Sequence, residues 1–248
     1  MKKFVTLARL SVVLCVNAQT WRIVKKNGEI VHYPASDVEY VTVIDDLNET
    51  VDLGLRSRTL WAKYNIGATS PEEYGDYFAW GEVEGVIKGK LHFYWNTYKW
   101  CTDVRGEELT KYNTADSLGI VDNKLELDLE DDAAYVNWGP NWRMPTWGQI
   151  LELMQSCTWE REMLNEVEGY KLTGPNGNTI FFPAGGWYQW EPSGAGQGGD
   201  YWGRTLNGDK PTTARGFWFY EDGCGWAPAF RRYFGRMVRP VHIQRANR

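Results

Sequence analysis

From Pro183 to Val241 the chain is a run of large aromatics and glycine. Trp187, Tyr188, Trp190, Tyr201, Trp202, Phe217, Trp218, Phe219, Tyr220, Trp226, Phe230, Tyr233 and Phe234 lie within it, with no histidine and one cysteine, Cys224. Rings of this size need a core or a ligand to cover them, and glycine lets backbone approach them closely. The stretch must therefore build a rigid, ring-filled frame that leaves some rings at its surface, and it reads as a recognition surface instead of an active site.

At 248 residues the chain can hold one large or two small domains, because a single core stops growing at roughly 250–300 residues. Hydrophobic content of 43% with 24% charged is that of an ordinary globular protein. A formal net charge of −5 argues against nucleic acid, since the only basic cluster is Arg231, Arg232, Arg236 and Arg239. Lys2 and Lys3 precede the apolar run Leu10 to Val16, and Val16-Asn17-Ala18 supplies small residues for cleavage, so residues 1–18 read as a signal peptide and the protein as exported to the cell surface or beyond. Leu14 counts against a lipid anchor on Cys15, and no run approaches the ~20 apolar residues of a membrane span. Cleavage after Ala18 leaves Cys101, Cys157 and Cys224, an odd number, and buried thiols at Cys101 and Cys157 are favoured over a bridge.

Trp21 to Lys25 and Ile30 to Tyr33 are β-type runs flanking Asn27-Gly28, a hairpin signal, and a third run covers Val38 to Ile44. This gives a small β unit over 19–45, a polar linker at 46–50, a main domain over 51–242 and a tail at 243–248. In the main domain Thr59 to Ala62 reads as a strand, and Ser70-Pro71-Glu72-Glu73 as the start of a short helix capped by Ser70. Thr146-Trp147-Gly148-Gln149 is a second capping box, opening a helix with Ile150, Leu153, Met154 and Cys157 on one face. Leu127 to Val136 reads as helical, with Asp131 and Asp132 near its start. Tyr170 to Thr173 and Thr179 to Phe182 form a hairpin about Gly174-Pro175-Asn176-Gly177-Asn178, and strands follow at 200–206, 215–220 and 236–242. The fold class is α+β: two helices packed on short, mostly antiparallel strands with long loops, after a β-hairpin unit.

Several stretches carry a resemblance: Val51-Asp52-Leu53-Gly54-Leu55; Asn65 through Glu82, reading NIGATSPEEYGDYFAWGE; Asn141-Trp142-Arg143-Met144-Pro145-Thr146; Thr173 through Asn178; and Val238-Arg239-Pro240-Val241. Over about 51–241 the chain resembles the bacterial "major paralogous domain" (FISUMP) family, and the resemblance implies a C-type-lectin-like fold on an exported protein, without naming a ligand. The N-terminal unit is similar to the β segment that often precedes such domains. Two stretches depart from the family pattern, Tyr201-Trp202-Gly203-Arg204-Thr205 and Ala227 through Arg236. Some C-type-lectin-fold proteins are varied by diversity-generating retroelements that rewrite adenines. Cys224, Gly225, Ala227, Ala229, Phe230, Arg231, Phe234 and Arg236 all fit what rewritten AAC codons can encode, but most residue types do, and ordinary divergence of a loop accounts for them as well.

Calcium-dependent lectins use Glu-Pro-Asn and Trp-Asn-Asp; here only Glu191-Pro192-Ser193 comes close, so no metal is expected. The acidic run Glu126, Asp128, Glu130, Asp131, Asp132 lacks a calcium loop's glycine turn and reads as a solvated helix start. Oxidases that resemble this fold class need paired cysteines or a histidine cluster, whereas His32, His92 and His242 are scattered and Cys224 has no neighbouring cysteine. No nucleophile elbow or phosphate loop is present, and no cofactor is expected. Phe217 and Phe219 are assigned to the core by the resemblance, which turns Trp218 and Tyr220 outward, and Trp202 and Trp142 are expected in the core. The expected ligand-binding set is Trp187, Tyr188, Trp190, Trp218, Tyr220, Trp226, Phe230, Arg231, Phe234 and Arg236. The expected function is adhesin-like or lectin-like binding of a glycan or cell-surface protein. The rivals are a carbohydrate-active enzyme using loop carboxylates among Glu191, Asp200, Glu221 and Asp222, or a structural component of a surface assembly.

Overall fold

The β-type runs on either side of Asn27-Gly28 pair as an antiparallel ladder, β1 (Thr20–Val24) with β2 (Ile30–Pro34), from Thr20↔Pro34 to Val24↔Ile30. The structure, a computed structural model, describes residues 20–24, 30–34, 49–221 and 223–243; within 223–231 the side chains of Cys224, Trp226, Ala227 and Pro228 are outside that description. The expected signal peptide, the run Val38 to Ile44 and the tail beyond Ile243 lie outside the described residues. The chain divides into two units, 1–44 and 45–248. No described helix is long and apolar enough to cross a membrane.

The second unit is α+β, with small antiparallel sheets and two α-helices. Its strands begin with β3 (Thr50–Asp52) and β4 (Leu60–Ala62). A long stretch with three 3-10 turns then leads to α1 (Ala133–Trp138), β5 (Trp142–Arg143) and α2 (Trp147–Ser156). After these come β6 (Thr158–Leu164), β7 (Val167–Thr173), β8 (Thr179–Pro183), β9 (Trp187–Tyr188), β10 (Pro192–Ser193), β11 (Gly199–Leu206), β12 (Thr213–Tyr220), β13 (Gly223–Arg231) and β14 (Val241–His242). The sheet orders are β3-β4-β14-β5, β6-β7-β8, β11-β12-β13 and the pair β10-β9.

Local signals explain the helices. Thr146 caps α2 by accepting from Gln149 N, while Gln149 reaches back to Thr146 N, a closed capping box. Ile150 and Leu153 are then buried, and Cys157 closes the helix. The helix expected from Leu127 is shorter. Leu127 is buried as extended chain, its N–H bonded to Arg204 O, and α1 starts only where Asp132 accepts from Ala134 N and Tyr135 N. The helix expected at Ser70 is a single turn. The Glu73 carboxylate accepts from Thr69, not Ser70, whose carbonyl takes the Glu73 N–H, and the chain folds straight back through Asp76 N–Ile66 O at 2.7 Å. Gly75, at φ +73°, permits that return, since a Cβ there would stand 2.4 Å from Ile66 O.

Two further expectations change. Residues 223–231 read as loop but form β13, paired to β12 from Thr213↔Arg231 to Tyr220↔Gly223 with one irregularity between Ala214 and Gly216. Its glycines and proline look like turn residues, yet Gly225 sits where the Trp218 ring leaves no room for a Cβ, at 2.8 Å. The strand expected over 236–242 contracts to β14, preceded by single bridges of Arg236 to Phe78 and Met237 to Tyr201. Pro240 has no N–H to extend it.

Core packing follows the inward faces. Trp61, Ile150, Leu153, Leu172, Phe182, Tyr201, Phe217, Phe219 and Met237 form one cluster; Trp80, Tyr112, Trp142, Trp202, Leu206 and Val238 form a second; Phe93, Tyr98, Leu109 and Tyr233 a third. Cys101 and Cys157 are buried free thiols, and burial pushes Cys157 up to about 11, which keeps it protonated and inert.

The basic cluster is not a surface feature. Arg232, Arg236 and Arg239 are buried, and only Arg231 is exposed. Arg239 donates Nε to Asn65 Oδ1 at 2.7 Å, Nη1 to Lys63 O at 2.8 Å and Nη2 to Phe181 O at 2.9 Å, over the Phe182 ring. Arg232 donates to Tyr98 Oη and to the carbonyls of Tyr112, Pro211 and Lys111. Lysine has no planar fork for such a set, and each buried carbonyl left unpaired costs roughly 1–3 kcal/mol. Arg239→Lys is therefore expected to lower unfolding stability by about 3 kcal/mol or more, read as a shift of the urea midpoint at unchanged slope. A loss under 1 kcal/mol would contradict this role.

Candidate functional site

The pleat of β12 sorts its rings. Phe217 and Phe219 face inward, with Tyr201 stacked on Phe217 at 4.9 Å and 6°, while Trp218 and Tyr220 are half-buried on the other face, 5.9 Å apart. Tyr220 Oη donates to Asp200 Oδ1 at 3.3 Å, and Asp200 Oδ2 accepts from Arg236 Nε at 3.2 Å. Burial pushes the Asp200 carboxyl up and the Arg236 guanidinium down to about 10, each opposed by the other's charge. The Arg236 guanidinium lies 3.9 Å from the Phe230 ring centre, 4.7 Å from Trp202 and 5.4 Å from Phe234. Phe234 in turn meets Trp187 edge-on at 5.0 Å. A continuous line thus runs Trp187–Phe234–Arg236–Asp200–Tyr220–Trp218.

The other expected residues separate. Tyr188 turns inward against Tyr77 and Phe93, at 5.6 and 5.5 Å. Trp190 is 57% exposed and stacks with Tyr94 at 6.1 Å and 29°. Arg231 is exposed and, with Tyr94, Trp95, Arg105, Lys210 and Tyr233, lines an open cleft of about 920 Å³. Phe230 is half-buried over Trp202, edge-on at 5.6 Å, and presses on Gly216. Arg236, expected at the surface, is instead buried beneath the rings and holds Asp200. The Trp226 side chain is outside the described residues; its backbone pairs with Phe217.

The cleft wall that the sequence reading missed comes from 94–107. Trp95 lies against Gly106, at φ +82°, where a Cβ would stand 2.5 Å from the ring. Asp103 fixes the turn beneath it: Cys101 Sγ and the N–H groups of Gly106, Glu107 and Glu108 all donate to Oδ1, and these bonds hold its carboxyl down to about 2. The density of Tyr94, Trp95, Tyr98 and Trp100 was the available signal.

The acidic run is not solvated at its end. Asp131 and Asp132 are buried, and Lys111 Nζ stands among the carboxylates, 2.7 Å from Asp128 Oδ2, 2.6 Å from Asp131 Oδ2 and 3.8 Å from Glu130 Oε1. Asp128, Glu130 and Asp131 are close enough to share a cation, but this ammonium already serves as one. Of the loop carboxylates, Asp200 is buried on Arg236, Glu191 is exposed, Glu221 pairs with Arg161 at 3.2 Å, and Asp222 is outside the described residues. No family model, curated protein or solved structure matches this chain.

Two outcomes follow from these charges. Asp200→Asn leaves Arg236 as a buried cation without an anion, and a stability loss of about 3 kcal/mol is expected from chemical denaturation, with Asp200→Asn/Arg236→Met recovering part of it. The second concerns acid. Burial raises Asp131, but donors from Lys111, Tyr112 and Lys99 outweigh it and hold the carboxyl below the ordinary range; Lys111 and Lys124 do the same for Asp128. A depressed folded pKa stabilises above the unfolded value, about 3.9, and that stabilisation is lost as pH falls through the folded one. The stability gap between wild type and Asp131→Asn should therefore narrow as pH falls below about 5 and close as it passes through the depressed folded value. A gap independent of pH would remove the carboxylate's charge as the cause.

Proposed function

We propose that the chain is an exported binding protein whose main unit is a C-type-lectin-like domain of the major paralogous kind, and that it recognises a glycan. One observation carries this reading. The exposed Trp190 stacks with Tyr94 at the edge of a cleft whose remaining wall is polar, with Arg105, Lys210 and Arg231 beside Trp95 and Tyr233. Aromatic faces take the apolar face of a sugar ring, and fork and ammonium donors take its hydroxyls. The carbohydrate-active-enzyme reading has less support. Asp200, the one described loop carboxylate that is buried, is already engaged by Arg236 and Tyr220. Protein binding through the same rings remains the competing outcome, and variation of this surface by a retroelement belongs to the same proposal.

A glycan array probed with the full chain should give saturable signals. Trp190→Ala and Tyr94→Ala should each weaken the best ligand about tenfold or more, with the thermal midpoint within about 2 °C of wild type because both rings are partly exposed. Binding only to surface proteins, with every glycan negative, would reverse the choice. Excess chelator should leave glycan affinity intact, since Lys111 already neutralises the Asp128–Asp131 cluster; a loss restored by Ca²⁺ would overturn that.

A further inference from the structure

A second cleft, of about 420 Å³, opens beside β14 and the first turn of α2, and its lining includes Arg58, Arg143, Arg204, Thr146, Gln149 and His242. No Asp or Glu lines it among the described residues. Glu126 offsets Arg204 and Glu152 accepts from Ser57 N at the rim, which leaves Arg58 and Arg143 as the lining cations with no carboxylate paired to them among the described residues. We propose that this cleft binds a small polar ligand through an oxyanion group: sulfate, phosphate or carboxylate.

Two of the three guanidiniums, those of Arg143 and Arg204, are held by the fold. Arg143 Nη1 donates to Trp142 O at 2.6 Å and Pro140 O at 3.2 Å, and the guanidinium stacks 4.5 Å over Tyr135, so the side chain cannot swing into solvent without losing these contacts. Arg58 sits at φ +57°, a left-handed conformation that a non-glycine residue adopts at a cost, and its side chain makes no ion pair with a described residue. Arg204 Nε is 2.9 Å from Glu126 Oε2, yet its N–H is directed off that oxygen, and the buried nitrogen has no hydrogen bond. His242 Nδ1, on the facing strand, is also buried without a partner, while its ring is fixed edge-on to Trp142 at 5.2 Å. Buried nitrogens without partners are rare in folded proteins, and here two belong to residues lining the same cationic hollow. An oxyanion accepts from guanidinium N–H groups, and arginine forks match its geometry.

The space exceeds a bare anion: about 420 Å³ equals the liquid volume of roughly a dozen waters. The ligand is therefore a molecule of monosaccharide size or the charged end of a longer one. Thr146 and Gln149 give the remaining wall hydroxyl and amide character, and both are pinned by the capping box. This site is independent of the aromatic cleft, so either can fail without the other.

Calorimetric titration of the full chain with sulfate, phosphate, glucose 6-phosphate, glucose 6-sulfate and glucuronate, at ionic strength held constant with KCl, tests it against neutral glucose as blank. At least one anionic probe should bind saturably at one site, and glucose should not. Arg58→Gln should weaken that binding at least tenfold, while Arg161→Gln, a charge removed elsewhere on β6, should change it less than twofold. Arg143→Gln adds a second reading where it folds; Arg58, exposed and free of tertiary side-chain bonds among the described residues, carries the test alone where it does not. Saturation by none of the probes, or equal weakening in Arg161→Gln, would overturn the proposal.

Discussion

Guanidiniums buried on backbone carbonyls hold this unit together. The stretch between β4 and α1 contains only short 3-10 turns, so many of its peptide groups have no ladder to bond to. The segment from Arg232 to Val241 solves this from the other end of the chain. Its backbone bridges Phe78 and Tyr201, its carbonyls accept from Ile66, Ala62 and Trp80, and its arginines collect the carbonyls that remain. Arg232 alone meets four acceptors and stands 5.0 Å from the Trp80 ring centre. Neither Arg232 nor Arg239 has a carboxylate among these contacts. Carbonyl dipoles and ring faces replace the anion, and burial accordingly pulls Arg239 down to about 10.

The same frame gives a physical reason for the stretches that carry the family resemblance. Asn65 offers Oδ1 to Arg239 and donates Nδ2 to Tyr74 O. Trp80 Nε1 donates to Gly203 O and Trp202 Nε1 to Phe78 O, locking the 77–82 segment to β11. Gly174 approaches Leu53 so closely that a Cβ would stand 2.2 Å from its carbonyl, and Asn176 and Asn178 both donate to Asp52 O. The quoted motifs thus meet one another in space. They are the joints of the frame, and the departures from the pattern lie partly inside it: Tyr201, Trp202, Arg232 and Arg236 are buried, while Ala229 and Arg231 are exposed.

What was legible depended on the sequence distance over which each signal acts. The α2 capping box closes within three residues, and the β7–β8 hairpin closes across five, so local reading found both. Phe217 and Phe219 follow from alternation once β12 is known. The burial of the arginines was invisible, because Arg232 meets Tyr112 O across 120 residues and nothing near Arg232 hints at that carbonyl. For the same reason β13 read as loop: its glycines signal turns locally, but Gly225 makes room for the Trp218 ring on the paired strand. The candidate site was half legible. Trp187, Phe234 and Trp190 were found by their own chemistry; Tyr94 and Trp95, a hundred residues upstream, join them only through folding.

This division constrains how the surface can vary. If the stretch from Cys224 to Arg236 were rewritten residue by residue, the positions would not be equivalent. Arg236 is buried on Asp200, so its loss strands a carboxylate beneath the rings. Phe230 roofs Trp202, and Gly225 has no room for a side chain beneath Trp218. Phe234 packs on Trp187 and Tyr233, where a smaller residue opens a gap. Ala229 and Arg231 are exposed and line the cleft beside Tyr94 and Trp95, and their tie to a buried side chain is the 3.3 Å bond from Arg231 Nη1 to Tyr233 Oη. Substitution there changes the cleft wall at little cost in stability, whereas substitution at Arg236 costs the frame first. Diversity compatible with this fold therefore concentrates at Ala229 and Arg231, on the wall of the same cleft that the aromatic pair borders.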